Sequence, residues 1–582
     1  MLDIKFIGGL LVDGSGDAPR HADVGVRDGR VVAVGPVTEP ARREVNAAGA
    51  IVTPGFIDLH THYDGQAMWD AALAPSSWHG VTSVMTGNCG VGFAPLRPGD
   101  ADRLVRLMEG VEEIPGTVLH EGLDWRWESY ADYLGRMEEQ PHAINVATQI
   151  AHDPVRLYVM GDRAARQESA TAADLIAMQE IVREALRVGA FGFSTGRTDT
   201  HRTSDGLDTP GARAGAEELA AIAAVLRELP YRVLSAVSDF DMYAGVERFD
   251  DEFDVIEQMA RAAGRPLTLS TLERLGAPEQ LKRIVARVER ARAGGLDLRM
   301  QIAPRGVGIL NGLRTTFNVF MAKPSYRALM HLPHAELVRE LRRPELRARI
   351  LTEPFLNMRQ VDRASPPQID QVIAMLDRIV YRMFELADPP DYEPPPEHSI
   401  GARAAARGVA PIEELFDVLL RDEGEGLVYF PAFNYNSGNL DVIATMLAHP
   451  ATHLGLGDGG AHVGTIADAA WPTFFLQHWV RDRPSSRIAI ERAVCMLTGD
   501  PAAFLGLRDR GRVSEGAWAD LNVIDLERLA LRRPRMVYDL PGGGRRLVQE
   551  ARGLRMTTVA GVPILEDDTP TGATPGRVLR AS

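Results

Sequence analysis

The stretch from Thr53 to Asp64 reads Thr-Pro-Gly-Phe-Ile-Asp-Leu-His-Thr-His-Tyr-Asp. Residues 51–59 are apolar and β-branched, which predicts a β-strand. His60 and His62 come at the end of this strand. Because alternate residues of an extended chain point to the same side, both imidazoles can face one point. Neutral imidazole is a common metal ligand, so the stretch predicts a metal site rather than two ordinary surface histidines.

The chain around this stretch alternates strand and helix patterns. Seven further strands are predicted at 81–87, 144–150, 189–194, 231–238, 267–271, 297–303 and 453–457. Helical patterns lie between several of them, for example at 171–189, where Thr171 and Asp174 form the signature of a capping box. Repeated strand–helix alternation predicts an α/β fold, a (β/α)8 TIM-type barrel with its active site at the strand C-termini.

Both ends of the chain carry short strands with tight turns instead. This pattern predicts one small β-sandwich domain built from residues 1–52 and 510–582, around a catalytic barrel at 53–509. The repeat breaks at about 306–450, before the last strand, which predicts an insertion that is either a surface elaboration or a lid over the strand ends. The last residues, 567–582, have the character of a mobile tail.

Composition restricts the partners and the compartment. The net charge of -15 argues against nucleic acid or an anionic membrane as the main partner. No stretch has the about 18 uninterrupted apolar residues of a membrane span, and residues 1–35 contain no run of signal-peptide type. Two cysteines cannot form a disulfide framework. We therefore expect a cytoplasmic enzyme that acts on a small molecule, with a homo-oligomer left open.

Two further strand ends carry residues suited to metal chemistry. Cys89 follows the second strand in a Gly-Asn-Cys-Gly element, where a thiolate is a good zinc ligand. Asp458 ends the eighth strand, where a carboxylate can bind metal and accept a proton from its water. His462 lies four residues further on. It is a weaker candidate, which could contact the metal ligands without binding the metal itself.

Other polar residues on strand-end loops have two interpretations. A histidine after a strand can bind metal or substrate, but is more often a satisfied polar residue. Arginines there can clamp a substrate carboxylate in bidentate fashion or form structural ion pairs. A buried tyrosine can line an acyl pocket or pack in the core. The candidates are His152, His201, Arg197, Arg202, Arg305 and Tyr435.

The quoted motifs resemble those of a known family. The chain is similar to the amidohydrolase superfamily and, within it, to the N-acyl-D-amino-acid deacylase (D-aminoacylase) group. The matching segments are 54–62, 80–83, 87–90, 189–196, 457–459, 511–513 and 515–521. The resemblance implies a zinc-dependent barrel enzyme that hydrolyses the amide of an N-acylated D-amino acid. It implies metal ligation by His60, His62, Cys89 and Asp458, with Asp458 also the general acid and base.

The chain departs from this family at the ends of strands five and six. The family carries metal-binding histidines there, whereas residues 234–239 and 267–273 contain none. Glu273 stands near the place of the family's carboxylate-binding lysine. One zinc on the retained ligands is therefore the first interpretation. In a second, carboxylates or nearby histidines replace the lost ligands and allow two zinc ions; the candidates are Asp239, Glu273, His152 and His201.

The sequence thus predicts a metal-dependent hydrolase of a C–N amide bond, with water as nucleophile and Asp458 moving the proton. An N-acyl-D-amino acid is the substrate class that the resemblance implies. Two alternatives stay open at this point. One is a hydrolase of a cyclic amide or another acylated small molecule, and the other is a non-catalytic ligand-binding relative with a degraded metal site.

Overall fold

The computed structural model describes residues 1–238, 240, 246–361 and 369–581. Eight parallel strands of these residues form a closed barrel wall. They are Phe56–Asp58, Val81–Thr86, Asn145–Thr148 continued by Ile150–Ala151, Gly192–Arg197, Val233–Ser238, Leu267–Ser270, Leu298–Ile302 and Thr452–Leu454. The first and last strands meet just beyond their ends, where Thr61 pairs with Gly459 in parallel. The predicted (β/α)8 barrel with an added β domain is confirmed.

The predicted strand at 51–59 is wrong, because the chain changes sheets within it. Ile51–Pro54 pairs with a strand from the C-terminal part of the chain, Leu521–Ile524. Phe56–Asp58 instead pairs with the second barrel strand. Gly55 lies between them so close to its neighbour that a Cβ there would stand 2.1 Å from Thr82 Oγ1. The Pro-Gly pair is therefore the junction between the two domains.

Both ends of the chain contribute to one nine-stranded sheet in the described part of the protein. Its core contains Phe6, Val24, Val52 and Val523. The strands are Leu2–Leu11, Arg20–Arg27, Arg30–Gly35, Ala41–Asn46, Ile51–Pro54, Leu521–Ile524, Leu554–Val559, Val562–Glu566 and Thr569–Pro570. Two small antiparallel strand pairs lie in the sequence between Leu521–Ile524 and Leu554–Val559. They are Ala530–Leu531 with Ala551–Arg552 and Arg535–Leu540 with Gly544–Val548.

Helices pack between and around the barrel strands. The predicted capping box is confirmed: Thr171 Oγ1 accepts a hydrogen bond from the Asp174 amide at 3.2 Å, and Asp174 Oδ2 accepts one from the Thr171 amide at 2.7 Å. The principal helices are Ala101–Glu112, Gly116–Gly122, Tyr130–Glu138, His152–Met160, Asp162–Ala165, Ala172–Arg187, Ala216–Ala224, Phe249–Ala263, Glu279–Ala293, Trp471–Phe474, Ile490–Leu497 and Gly499–Leu505, with a wide helical stretch at Phe475–Asp482.

The segment between the seventh and eighth strands has its own apolar core, which includes Phe320, Leu341 and Phe416. Its sheet consists of Gly308–Asn311, Phe384–Glu385 and Val428–Pro431. Its helices are Pro324–Arg327, His334–Leu341, Pro344–Thr352, Met358–Val361, Ile369–Ala374, Leu376–Ile379, Ile400–Arg407, Pro411–Leu419 and Arg421–Gly424, followed by Asp441–Leu447.

This segment also supports the loop that follows the eighth strand. The Leu310 amide donates to the Thr465 carbonyl at 2.8 Å, and the Thr316 amide donates to the Gly464 carbonyl at 2.9 Å. From the other side, the Leu547 amide donates to the Val463 carbonyl at 2.6 Å. The backbone around His462 is therefore held from two sides.

The expected mobile tail is wrong for residues 575–581, which form part of the barrel wall. They run beside the third strand, where Val578 pairs with Val146 in parallel. The Val146 amide donates to the Arg577 carbonyl, and the Leu579 amide donates back to the Val146 carbonyl. Leu579 packs against the apolar cluster at the base of the barrel. The segment fills the space between the third and fourth strands at their N-terminal ends.

None of the described helices has the length and apolar content needed to cross a bilayer.

Removal of residues 574–582 should destabilise the whole barrel. The truncation breaks backbone hydrogen bonds to His142, Val146 and Gly189. At about 1 kcal/mol each, their loss should lower the free energy of unfolding by about 2–5 kcal/mol, seen as a lower urea midpoint. Thr574→Ala in the full chain is the matched control and should keep the wild-type midpoint. An unchanged midpoint after truncation would contradict the structural role of the segment.

Candidate metal centre

His60 and His62 lie side by side beyond the first barrel strand, and both are buried. The Asp58 carboxylate accepts a hydrogen bond from the His60 amide at 3.1 Å and another from Trp471 Nε1 at 2.9 Å. This pair of bonds fixes the chain as it leaves the strand. The Nε2 atoms of the two histidines lie 3.3 Å and 3.6 Å from the same Cys89 sulfur.

Cys89 reaches the histidines because its backbone adopts a left-handed conformation, with φ of 57°. The neighbouring glycines allow this tight approach. A Cβ on Gly87 would lie 2.1 Å from the Gln149 carbonyl oxygen, and one on Gly90 would lie 2.5 Å from the Gly196 nitrogen. The Asn88 amide group donates to the Met85 carbonyl at 2.9 Å. The loop after the second strand is therefore packed so that the thiol points at the histidines.

Asp458 completes the cluster from the loop after the eighth strand. Its Oδ1 lies 3.4 Å from His60 Nε2 and 3.8 Å from His62 Nε2. The His62 amide donates to the Gly459 carbonyl at 2.7 Å, which ties this loop to the first strand. The Asp458 side chain keeps 19% of its surface exposed, whereas those of His60 and His62 keep 2% and 1%. Asp458 is thus the member of the cluster that a substrate reaches most readily.

These donor atoms suit a metal ion. Zinc bonds of about 2.0–2.3 Å in a tetrahedron separate the ligand atoms by about 3.3–3.7 Å. The separations of 3.3, 3.4 and 3.6 Å lie within that range, and the His62–Asp458 separation of 3.8 Å lies just above it. In the described part of the chain, His60, His62 and Cys89 form the one group of three such side chains whose ligand atoms all lie within 4.8 Å of one another. Asp458 approaches this group through the two histidines.

Burial sets the protonation of the cluster without metal. It lowers the pKa of His62 well below its usual value, with the nearby His60 adding to the effect. It raises the pKa of the Cys89 thiol well above its usual value, and the carboxylates of Glu112 and Asp458 add to this. Neutral imidazole is the form that binds metal, whereas the thiol must lose its proton when metal binds.

Comparison with known proteins decides the family. Residues 43–565 match the sequence profile described as the amidohydrolase family. The chain belongs to the amidohydrolase family. It is 28% identical to a D-aminoacylase from Alcaligenes xylosoxydans xylosoxydans, over 99% of this chain and 97% of that protein.

Two solved structures show the same relationship along the whole chain. The N-acyl-D-glutamate deacylase from Bordetella bronchiseptica, complexed with zinc and a phosphonate mimic of the tetrahedral intermediate, is 25% identical, with complete coverage of both chains and a TM-score of 0.64. A D-aminoacylase with a binuclear metal centre is 26% identical, with complete coverage of both chains and a TM-score of 0.65.

Three buried residues behind the amidohydrolase cluster were not identified from the sequence. Gln301, on the seventh strand, accepts a hydrogen bond from His60 Nδ1 at 2.7 Å. Glu112 lies with Oε1 3.2 Å from His62 Nδ1, and burial raises the pKa of Glu112 to about 8. Asp64 is buried nearby, and burial raises its pKa to about 7. One sequence feature could have identified such a residue: Gln301 is a polar residue within a strand that is otherwise mostly apolar.

His462 lies between two adjacent carboxylates, Glu112 and Glu113, at the end of the helix Ala101–Glu112. Its Nε2 is 3.9 Å from Glu112 Oε2, and its Nδ1 is 3.4 Å from Glu113 Oε2. Although burial opposes protonation, the close contact with Glu113 and the negative charges of Glu113, Glu112 and Asp458 raise the pKa of His462 to about 9. The imidazolium therefore balances part of the negative charge of the site.

The residues predicted as substitute metal ligands lie outside the cluster or outside the described residues. His152 is buried between Thr195 Oγ1 at 3.0 Å and Glu218 Oε1 at 2.9 Å. His201 is half-buried on the loop after the fourth strand, and burial together with His462 and His60 lowers its pKa to about 3. Glu273 Oε2 accepts from the Asn436 amide at 3.2 Å. Asp239 lies outside the described residues.

The predicted substrate-binding residues contact other parts of the protein. Arg197 forms a bidentate pair with Glu252, at 2.8 and 2.9 Å. Arg202 pairs with Asp208 at 2.7 Å, and Arg305 pairs with Asp468 at 2.5 Å while stacking over Tyr392. The Tyr435 hydroxyl donates to the Pro394 carbonyl at 2.6 Å. These contacts agree with the structural roles that the sequence analysis gave as the alternative to substrate binding.

The charge on His462 should make its contribution to stability pH-dependent. In the metal-free protein its pKa is about 9, against 6.5 for an unperturbed histidine. The contribution should be complete below about pH 6.5 and should disappear as pH rises to about 9. Urea midpoints of wild type and His462→Gln should differ most at the acidic end of this window. A difference that grows with pH would contradict the charge assignment.

Proposed function

We propose that this amidohydrolase cleaves the amide bond of an N-acyl-D-amino acid with one metal ion held by His60, His62, Cys89 and Asp458. The observation that carries the proposal is the convergence of Asp458 Oδ1 and Cys89 Sγ on the Nε2 atoms of both histidines. These groups come from the ends of three different barrel strands, which is where catalytic groups of this fold lie. Their residue types form a zinc-type donor set.

The bound metal would polarise the amide carbonyl and make water acidic enough to attack at neutral pH. The chain itself supplies the proton transfer. Asp458 is the partly exposed carboxylate of the cluster, so it can take a proton from water and pass it to the leaving nitrogen. The buried histidines hold fixed positions and expose only Nε2 to the reaction side.

The relatives support the acyl-amino-acid substrate class. Similar proteins include a D-aminoacylase and an N-acyl-D-glutamate deacylase, each of which matches the chain over nearly its full length. The same comparisons do not favour a cyclic-amide substrate or a non-catalytic binding role. The D configuration and the acyl group are therefore best tested directly, with N-acetyl-D-amino acids and their L enantiomers.

One metal, preferably zinc, is the stoichiometry that the described residues favour. The strand ends that carry metal-binding histidines in the resembling family carry hydroxyl side chains here, and these bind the backbone. At the end of the fifth strand, the Ser238 hydroxyl accepts a hydrogen bond from the Phe240 amide at 3.2 Å. Beyond the sixth strand, the Thr271 hydroxyl donates to the Leu269 carbonyl at 2.9 Å. The related D-aminoacylase shows one-metal activation and second-metal attenuation, which supports one ion here.

Elemental analysis should find about one zinc per chain after zinc loading and removal of excess. His60→Ala should lose it, because the imidazole faces both Cys89 and Asp458. The exposed His120→Ala is the matched control and should retain the metal. If the wild-type protein holds no metal after zinc has been supplied, the mechanism is excluded. Two bound ions would require ligands beyond this cluster.

Asp458→Asn should lower kcat by about 10²–10⁴-fold, the range for loss of a general acid and base. The reaction is followed as amine released from N-acetyl-D-amino acids. Metal content is measured in the same samples, so that loss of catalysis is separated from loss of zinc. Asp509→Asn, an exposed carboxylate paired with Arg30, should retain wild-type rates. Full activity of Asp458→Asn would disprove its role.

A further inference from the structure

Glu112 is a buried carboxylate that faces the outer nitrogen of His62. Its side chain is 2% exposed, and its Oε1 lies 3.2 Å from His62 Nδ1. Neither atom has a hydrogen-bond partner in the described part of the chain, so the two face each other at this distance without a well-aligned hydrogen bond. A buried carboxylate is costly unless it is paired, and the His62 ring nitrogen is the donor within reach.

The two metal-facing histidines differ in the group behind them. His60 Nδ1 faces the neutral amide oxygen of Gln301 at 2.7 Å. His62 Nδ1 faces the carboxylate of Glu112. An acceptor on Nδ1 keeps the proton there and leaves the Nε2 lone pair for the metal, and a carboxylate increases the basicity of that lone pair more than an amide does.

We propose that Glu112 is a positioning residue that orients His62 and sets its tautomer, so that His62 Nε2 is held ready for the metal. The proposal rests on the metal site of the proposed function. It assigns the helix Ala101–Glu112, inserted between the second and third barrel strands, a direct part in metal affinity. Glu112 does not touch the ion or the substrate, and its effect on the metal passes through His62.

The surroundings of Glu112 keep its carboxylate in place. Leu104, Met108 and Glu112 recur at four-residue spacing on the buried face of the helix. The Glu112 carbonyl accepts from the His462 amide at 2.5 Å. A Cβ on Gly110 would lie 2.2 Å from the Arg202 carbonyl oxygen, so the helix is packed directly against the loop after the fourth strand. Glu112 therefore cannot withdraw from His62 without moving both neighbours.

The end of the helix separates the roles of two adjacent acids. Glu113 has a φ of 54°, a left-handed conformation that ends the helix. Its carboxylate turns to His462 Nδ1 at 3.4 Å, away from the metal-facing histidines. Glu112 continues the helical direction and reaches His62. Because of this backbone turn, Glu112 faces Nδ1 of His62 and Glu113 faces Nδ1 of His462.

Competition with a chromophoric zinc chelator measures the metal affinity of the full chain. Glu112→Gln, which keeps the side-chain volume, should bind zinc about 10–100-fold more weakly than wild type. Glu109→Gln on the same helix is the matched control, since Glu109 accepts from the Gly116 amide and not from a histidine. It should keep wild-type affinity.

A double-mutant cycle separates positioning from a purely structural role. In the His62→Ala background, Glu112→Gln should cause no further loss of zinc affinity, whereas a structural role would persist. Wild-type zinc affinity in Glu112→Gln, or an undiminished effect without His62, would overturn the proposal. A wild type that binds no zinc would instead remove the metal site itself, so the two failures are distinguishable.

Discussion

The hydrogen bond from the His62 amide to the Gly459 carbonyl joins the first strand of the barrel to the loop after the last. The rest of the site depends on this closure. It brings Asp458, almost four hundred residues along the chain, within 4 Å of both histidines. Other contacts serve the same closure: Asp58 accepts from Trp471 Nε1, which links the first strand to the helix beyond the last loop.

Behind this junction, the site is built in two layers. The inner layer is a set of soft and neutral donors, two imidazoles and a thiol, whose burial disfavours charge. The outer layer is polar and more acidic, with Gln301 and Glu112 facing the histidines and His462 balancing the acids. An ion with two positive charges would relieve the electrostatic cost of this arrangement, which explains how so many acids lie beneath one barrel mouth.

The sequence was sufficient for the parts of the structure that follow from local patterns. Strand ends in a parallel barrel meet at one face, so His60, Cys89 and Asp458 could be placed together from strand positions alone. The capping box at Thr171 is likewise local. The break at Gly55 was missed because an apolar run does not show that its two halves belong to different sheets.

Long-range contacts explain what the sequence did not show. Glu112 and Gln301 act through residues 50 and 241 positions away, and only the folded barrel brings them to the histidines. The pairing of Arg197 with Glu252 and of Arg305 with Asp468 depends on acids from other elements in the same way. The only local signal in the sequence was a polar residue on a buried face. Such a residue indicates that a polar partner exists, but it does not show which residue the partner is.

The segment at 575–581 makes one side of the barrel wall depend on a distant part of the sequence. The wall between the third and fourth strands is complete only when this segment is in place. Val146 and Val578 lie more than four hundred residues apart, so their pairing costs more loop-closure entropy than a contact between neighbouring strands. Until the segment docks, the free edge of the third strand exposes backbone groups that can pair with another chain. The moment at which the segment docks therefore determines how long this edge is open to aggregation.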